Sequence, residues 1–398
     1  MPLSVAYFGT YDPAYPRNRV LIEGLRAAGA TVSEYDAPLP AELTAARLAS
    51  AVGASALAGE LARAHLRLVR MHRDWVPADV VLVGYPGHLV VPFAWAVARV
   101  RRARLVFDPL VSLHDTFVGD RRLVGGAGLA ARAASSADRL AFALPDLVLA
   151  DTSSHASFYA GAFGLPERRF AVAPVGALPL AGATGSARDL AGDEPLVVFQ
   201  YGKWSPLHGA GVVVGAAELL REEPFRFVLA GEGQLSAELR ARIGGAGLEN
   251  VEWTGLLAAD ELRARTLAAD VCIGVLGATE KAARVVPNKV YDALAAGRPI
   301  VTADSPAARE ALSGGESALL VPAGSAQALA AALRSLRDRG ERLRLGENAL
   351  ALYRARFTPE AIGRELLTRL GQLVAGSPVS PAGSPAAAVG GDSTGGPR

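Results

Sequence analysis

The chain has 398 residues, of which 51% are apolar and 20% charged, with a formal net charge of +2 at neutral pH. That length exceeds what one hydrophobic core serves and predicts two domains, and the apolar share excludes a globally disordered chain. The near balance of charge gives no electrostatic footprint for nucleic acid. The single cysteine, Cys272, lies in an apolar run; it excludes an intrachain disulfide and a cysteine-based zinc site and reads as a small buried hydrophobe.

Residues 1–10 lack a basic segment followed by a long apolar run, so no signal peptide is expected. The most apolar window, 80–100, is broken by Gly84, Pro86, Gly87, His88, Pro92 and Arg99. It reads as strand, loop and helix and not as a membrane span. The expected location is therefore cytoplasmic.

Short β-rich runs alternate with helix-length segments along the chain, which predicts parallel sheets wrapped by helices. In the first half the expected strands are 4–8, 31–35, 79–84, 104–107, 147–150 and 170–173, with helices such as 19–28 and 59–73 between them. Residues 176–195 are rich in Gly, Ala, Asp and Pro, lack a hydrophobic period and read as a linker. The alternation then restarts, with strands at 196–201, 225–230, 251–253, 271–275, 299–303 and 318–321. Helices are expected at 209–221, 235–243, 259–268, 289–296 and 326–336. Thr358, Pro359 and Glu360 have the right chemistry to open a last helix, 360–373. Beyond about residue 375 the composition of Gly, Ser, Pro and Ala predicts disorder. The expected division is 1–177 and 195–356 for the two domains, 178–194 for the linker, 357–374 for the last helix and 375–398 for the tail.

Ligands of open α/β sheets bind at the carboxyl ends of the strands, so the segments after each strand are the candidate sites. After 196–201 comes Gly202-Lys203-Trp204-Ser205-Pro206-Leu207-His208-Gly209, then a helix. A glycine that lets backbone approach a ligand, a cation and a helix start together make a cradle for a diphosphate. After 225–230 comes Gly231-Glu232-Gly233, a tight turn before the next helix. Leu256 follows the strand at 251–253 and is a further candidate contact. The most pronounced local signal is Pro287-Asn288-Lys289 opening a helix that Gly297 stops. A lysine in a first helical turn is electrostatically unfavourable unless an anion sits there. Asp292, one turn on, shares a face with Asn288 and Lys289 and is placed to bind ribose or sugar hydroxyls.

In the first half, Gly9 ends the first strand without a Gly-x-Gly-x-x-Gly pattern, which argues against dinucleotide binding there. Asp108, His114 and Asp115 follow the strand at 104–107 and are candidate acid–base or hydroxyl-orienting groups. His88 also falls at a strand end. The arginines at 63, 67, 70, 73, 99, 101, 102 and 104 form a basic cluster on one stretch of the first half; it reads either as a solvated face or as a contact for an anionic membrane surface.

These segments, in this order, resemble the retaining glycosyltransferases of family 4, which have the GT-B fold. The resemblance is clearest over 195–321. The family's Gly-Arg-x4-Lys-Gly stretch looks like Gly202-Lys203-x4-His208-Gly209. Its Gly-x-Gly turn looks like Gly231–Gly233. Its Glu-x7-Glu region looks like the stretch ending Asp292-Ala-Leu-Ala-Ala-Gly-Arg-Pro-Ile, with Arg284 where the first glutamate stands. The resemblance implies two Rossmann-like domains with parallel sheets facing a cleft between them. It implies transfer of a sugar from a nucleoside-diphosphate sugar, with retention of anomeric configuration and no metal or cofactor. In this picture Lys203, His208, Lys289 and the amides near Gly202 and Asn288 neutralise the leaving diphosphate, and the acceptor lies against Gly9, Asp108, His114 and Asp115. The substitutions at Arg284 and Asp292 keep two alternatives open: a non-catalytic partner subunit, or a sugar-nucleotide epimerase or phosphorylase of the same fold.

Overall fold

The computed structural model describes residues 2–39, 51–71, 75–116 and 128–377. The expected disordered tail lies beyond them, apart from its first three residues, as does Arg73 of the basic cluster.

Two six-stranded sheets carry the molecule, and every strand pairing in both is parallel. The first comprises β1 (Ser4–Gly9), β2 (Thr31–Asp36), β3 (Val80–Val83), β4 (Arg104–Phe107), β5 (Leu147–Ala150) and β6 (Phe170–Val172), in the order β2-β1-β3-β4-β5-β6. The second comprises β7 (Leu196–Tyr201), β8 (Phe225–Ala230), β9 (Val251–Gly255), β10 (Val271–Ile273), β11 (Ile300–Ala303) and β12 (Leu319–Val321), in the order β12-β11-β10-β7-β8-β9. Central strands such as β3, Val-Val-Leu-Val, are buried at every position. Helices cover both faces, so continuous β-branched runs are what such a strand requires. The chain-order reading located all twelve strands. It placed helix-length segments between the strands and gave bounds to some of them; Leu129–Ala143, Ser153–Phe163 and Arg339–Leu352 were not among those given bounds.

The helix Pro359–Val374 is capped by Thr358, whose hydroxyl accepts from the Ala361 amide. It crosses back onto helix Pro16–Ala27 of the first half and inserts Ile362, Leu366 and Leu370 into the core beneath the first sheet. The two backbones meet at Gly24 and Gly363: a β-carbon on Gly363 would lie 1.9 Å from the Gly24 carbonyl oxygen.

Among the described residues no helix is long and apolar enough to cross a membrane.

Candidate active site

The carboxyl ends of β7 and β8 and the start of helix Asn288–Ala295 meet residues 110–116 of the first half around a cavity of about 490 Å³. Its walls include Gly202, Lys203, His208, Gly231, Leu256, Asn288 and Lys289 from the second half, with Tyr15, Tyr85, Leu110 and Thr116 from the first.

Two loops build its floor by close backbone contact. Gly231 has a φ of 139°, and a β-carbon there would lie 1.9 Å from the Gly202 carbonyl oxygen. Trp204 is fully buried and its indole N–H donates to the Gly231 carbonyl at 2.9 Å. A β-carbon on Gly233 would strike the Trp204 amide at 2.4 Å, so this glycine permits the packing and does not face the cavity. Glycine is required in the turn because the two loops touch main chain to main chain.

Two side-chain nitrogens converge above that floor. A β-carbon on Gly202 would lie 2.9 Å from Lys289 Nζ and 3.0 Å from His208 Nε2, so both nitrogens point at the same spot. His208 closes a short 3-10 turn in which the Ser205 amide lies 3.4 Å from Nδ1. An amide can only donate, so Nδ1 is the acceptor and Nε2 carries the proton. The ring thus offers a donor to the cavity even when neutral. Lys289 is 5% exposed, and its ammonium has no hydrogen-bond partner among the described residues. The rings of Tyr201 and Trp204 lie 5.8 and 5.9 Å away. Burial pushes its pKa down to about 7. The helix it belongs to starts at Pro287 with no side-chain cap, leaving first-turn amides to the cavity.

Leu256, Leu257 and Leu262 form an apolar end to the cavity, and Leu256 is 73% exposed. Asp292 is not on the wall. It lies below Lys289 and accepts a hydrogen bond from Tyr201, and burial raises its carboxyl to about 6 despite that bond.

The remaining expected residues are engaged elsewhere. Asp108 is not an acid–base group: it is fully buried in a bidentate pair with Arg17, both bonds 2.9 Å, and Arg17 also holds the Ala173 and Pro174 carbonyls. Glu232 turns toward Arg240 and the Trp253 indole, and a hydrogen bond from Ser236, then those from Trp253 and Arg240, hold its carboxyl below the usual range. The His114 amide donates to Asp138 and its side chain does not line the cavity. Gly9 is likewise off the wall.

Asp115 serves a different purpose. It pairs with Arg284 at 3.2 Å and with Lys281 at 3.5 Å, both from the second half, and Lys281 donates to Thr116 at 2.9 Å. The Arg284 guanidinium lies 3.7 Å over the Phe158 ring. Thr152 donates to the Arg284 carbonyl, and both carboxylate oxygens of Glu310 accept from the Ser153 amide at 2.9 Å. Two segments of the second half thus clasp the first half beside the cavity. The sequence reading missed Arg17, Tyr15, Tyr85, Thr116 and Lys281 as site builders. An arginine directly after the proline that opens the first helix was the signal for Arg17; only the packing of the two halves reveals the others.

The arrangement of two parallel α/β sheets about a cleft is the GT-B fold. It matches solved structures along nearly the whole chain. HepE from Anabaena, solved in complex with UDP, is 17% identical, covers 94% of this chain and 100% of its own, and superposes with a TM-score of 0.62. Sucrose-phosphate synthase from Thermosynechococcus elongatus is 19% identical over 95% of this chain and 100% of its own, with a TM-score of 0.66. Residues 195–339 match the family model described as "Glycosyl transferases group 1". The amylovoran biosynthesis glycosyltransferase AmsK of Erwinia amylovora is 29% identical over 147 residues, a stretch that is 36% of each chain. The matched region therefore spans about a third of that relative.

Proposed function

We propose that the protein is a family 4 glycosyltransferase that moves a sugar from a nucleoside-diphosphate sugar to a hydroxyl of a polysaccharide, lipid-linked or small-molecule acceptor, with retention at the anomeric carbon. The observation that carries this reading is the unpartnered, buried ammonium of Lys289 beside the Nε2 donor of His208. Burying an uncompensated cation costs stability, and an anion bound in the cavity offsets that cost.

In this reading the second half holds the donor. The diphosphate lies over Gly202 against Lys203, His208, Lys289 and the first-turn amides at Asn288, and the base enters the apolar end at Leu256. Residues 1–177 present the acceptor, 178–194 link, and the helix within 357–374 ties the halves together. The cavity wall has no carboxylate among its described residues. That supports attack from the face on which the diphosphate leaves. The acceptor oxygen bonds to the anomeric carbon, the bond from that carbon to the phosphate oxygen breaks, and the departing phosphate takes the acceptor's proton. Lys289, His208 and Lys203 stabilise the charge that builds on the leaving oxygens. The likenesses to HepE, solved with UDP, and to AmsK, named for polysaccharide biosynthesis, favour the same donor class and a role in cell-envelope or polysaccharide assembly.

The site of work is the cytoplasm, at an anionic membrane face. Helix Ala51–Met71 exposes Leu66 and Val69 among Arg63, Arg67 and Arg70, and helix Val91–Arg101 exposes Trp95 and Val100 beside Arg99 and Arg101. Such a mixed surface suits headgroups and the acyl boundary.

Thermal shift and calorimetry with UDP, GDP and ADP test the function. One of them is expected to raise the melting temperature and bind; no response to any of the three would refute it. Cosedimentation with vesicles tests the membrane contact, which requires retention on vesicles containing phosphatidylglycerol and none on phosphatidylcholine alone.

A further inference from the structure

We infer that the donor site holds the nucleotide's ribose without a carboxylate and therefore accepts 2′-deoxyribonucleoside diphosphates and their sugars alongside the ribo forms; this rests on the donor reading above. A ribose 2′-hydroxyl carries a proton, and α/β folds that select for ribose receive it on an aspartate or glutamate near a strand end. The bond to a charged acceptor is what makes deoxyribose a poor substitute in such sites. Here the acids placed to form that bond are engaged with other partners.

Asp292 lies one turn from Lys289 on helix Asn288–Ala295, but its Oδ2 accepts the hydroxyl of Tyr201, the last residue of β7. Tyr201 lines the cavity and Asp292 does not. Glu232, directly after β8, is turned away: Arg240 donates to its two oxygens at 2.9 and 3.1 Å, and the Trp253 indole donates at 3.2 Å. Beyond the apolar end of the cavity, Asp260 and Glu261 open helix Ala259–Ala268. Both are exposed, and they face Arg263 and Arg265 of the same helix.

Residues 195–377 are described without a gap, and the wall they give the cavity holds neither aspartate nor glutamate. Lys203, His208 and Lys289 lie with the diphosphate in the donor reading, and Lys281 donates to Thr116. The side chains left on that wall for a ribose hydroxyl are neutral, the Asn288 carboxamide and the Ser205 hydroxyl. Losing a neutral hydrogen bond changes affinity by less than about tenfold. Most of the nucleotide's affinity then comes from the diphosphate, which a deoxyribonucleotide carries unchanged. Thymine differs from uracil by a methyl group, and the end of the cavity that the donor reading gives to the base is apolar, with Leu256, Leu257 and Leu262. Deoxythymidine diphosphate sugars thus fall within the donor class.

Titration calorimetry on the full chain with UDP and dUDP tests the inference, with GDP and dGDP or ADP and dADP as the pair if another base is selected. The wild-type protein is expected to bind the ribo form less than about tenfold more tightly than the deoxy form, the range of a neutral hydrogen bond. Asp292→Asn is expected to leave that ratio unchanged. A preference of about tenfold or more for the ribo form would overturn the inference by showing a charged grip on the ribose. So would a ratio that collapses in Asp292→Asn, which would place the carboxylate on the 2′-hydroxyl. Either result leaves the transferase reading standing, because the nucleotide still binds. Failure of every nucleotide to bind would overturn both. The wild-type ratio decides the matter alone if Asp292→Asn does not fold.

Discussion

Replacing Lys289 by methionine should make the protein more stable and a worse ligand binder at once. The ammonium is held in the folded state with a pKa near 7, against an ordinary value of 10.5. The sign follows from proton counting. Between pH 7 and 10.5 the unfolded chain keeps this proton and the folded chain does not, so stability rises with pH through that window. Below pH 7 both states are protonated and the full cost of burying the charge applies. The gap of about 3.5 pH units, at about 1.4 kcal/mol each, puts that cost on the order of 5 kcal/mol at low pH, falling toward zero near pH 10.5. Lys289→Met removes it and fills the same space, so urea unfolding near pH 7 should show a gain of about 1–4 kcal/mol, as for other apolar replacements of buried charge. The gain should shrink steadily as the pH approaches 10. Nucleoside-diphosphate affinity should fall by about 10- to 100-fold, the value of a charge-assisted hydrogen bond. Because a bound diphosphate restores the proton, wild-type binding at pH 7.5 should take up most of one proton. Calorimetry in buffers of different ionisation enthalpy reads that number directly, and the uptake should be largely absent in Lys289→Met. A variant that is less stable than wild type, or one that binds UDP with unchanged affinity and proton uptake, would refute the placement of this lysine.

His208→Ala should weaken UDP binding by only about five- to tenfold, since a neutral donor is lost; titration calorimetry measures it, and a loss exceeding that of Lys289→Met would contradict the neutral tautomer. Arg17→Met leaves Asp108 buried without its partner and should cost about 3–5 kcal/mol in denaturant unfolding, most of which the double variant Arg17→Met, Asp108→Leu should recover. Gly363→Val drives a side chain into the Gly24 carbonyl and should lower stability by at least about 3 kcal/mol, with protease cleavage appearing near residue 358; an unchanged proteolysis pattern would show that the last helix tolerates separation from helix Pro16–Ala27.

Every strand was given bounds from the chain and only some of the helices were, and the reason is physical. A strand covered by helices on both faces must be apolar throughout, so Val80–Val83 and Leu147–Ala150 stand out from their surroundings. Helices here are rich in alanine and arginine. Arg339–Leu352 is such a segment, its apolar side chains too scattered to mark a stripe. The cavity wall supplied by the second half was legible because its residues follow strands directly in the chain: Gly202, Lys203 and His208 after β7, Gly231 after β8, Asn288 and Lys289 at a helix start. The opposite wall was not. Asp108 and Asp115 satisfied the same rule of position, yet one is bound to Arg17 and the other to Lys281 and Arg284. Position at a strand end selects candidates for a cleft; only the partner across the fold decides whether a carboxylate is free to react.

That distinction between paired and unpaired charge organises the whole molecule. Elsewhere in the fold several cations are paired with acids, Arg17 with Asp108, Arg188 with Asp270, Arg242 with Glu218 and Arg334 with Glu223, and the buried Arg342 is held by three backbone carbonyls. The cleft breaks this habit. Lys281 pairs there with Asp115, and the most deeply buried lysine, Lys289, has no hydrogen-bond partner among the described residues. Pairing Lys289 with an acid would have cost less in stability, and it would also repel the diphosphate proposed to bind there. In the proposed reading the uncompensated charge is a thermodynamic load that an anionic ligand entering this space of about 490 Å³ relieves. The clasp formed by Asp115, Arg284, Thr152 and Glu310 keeps the two halves close enough for both walls of that space to meet such a ligand together.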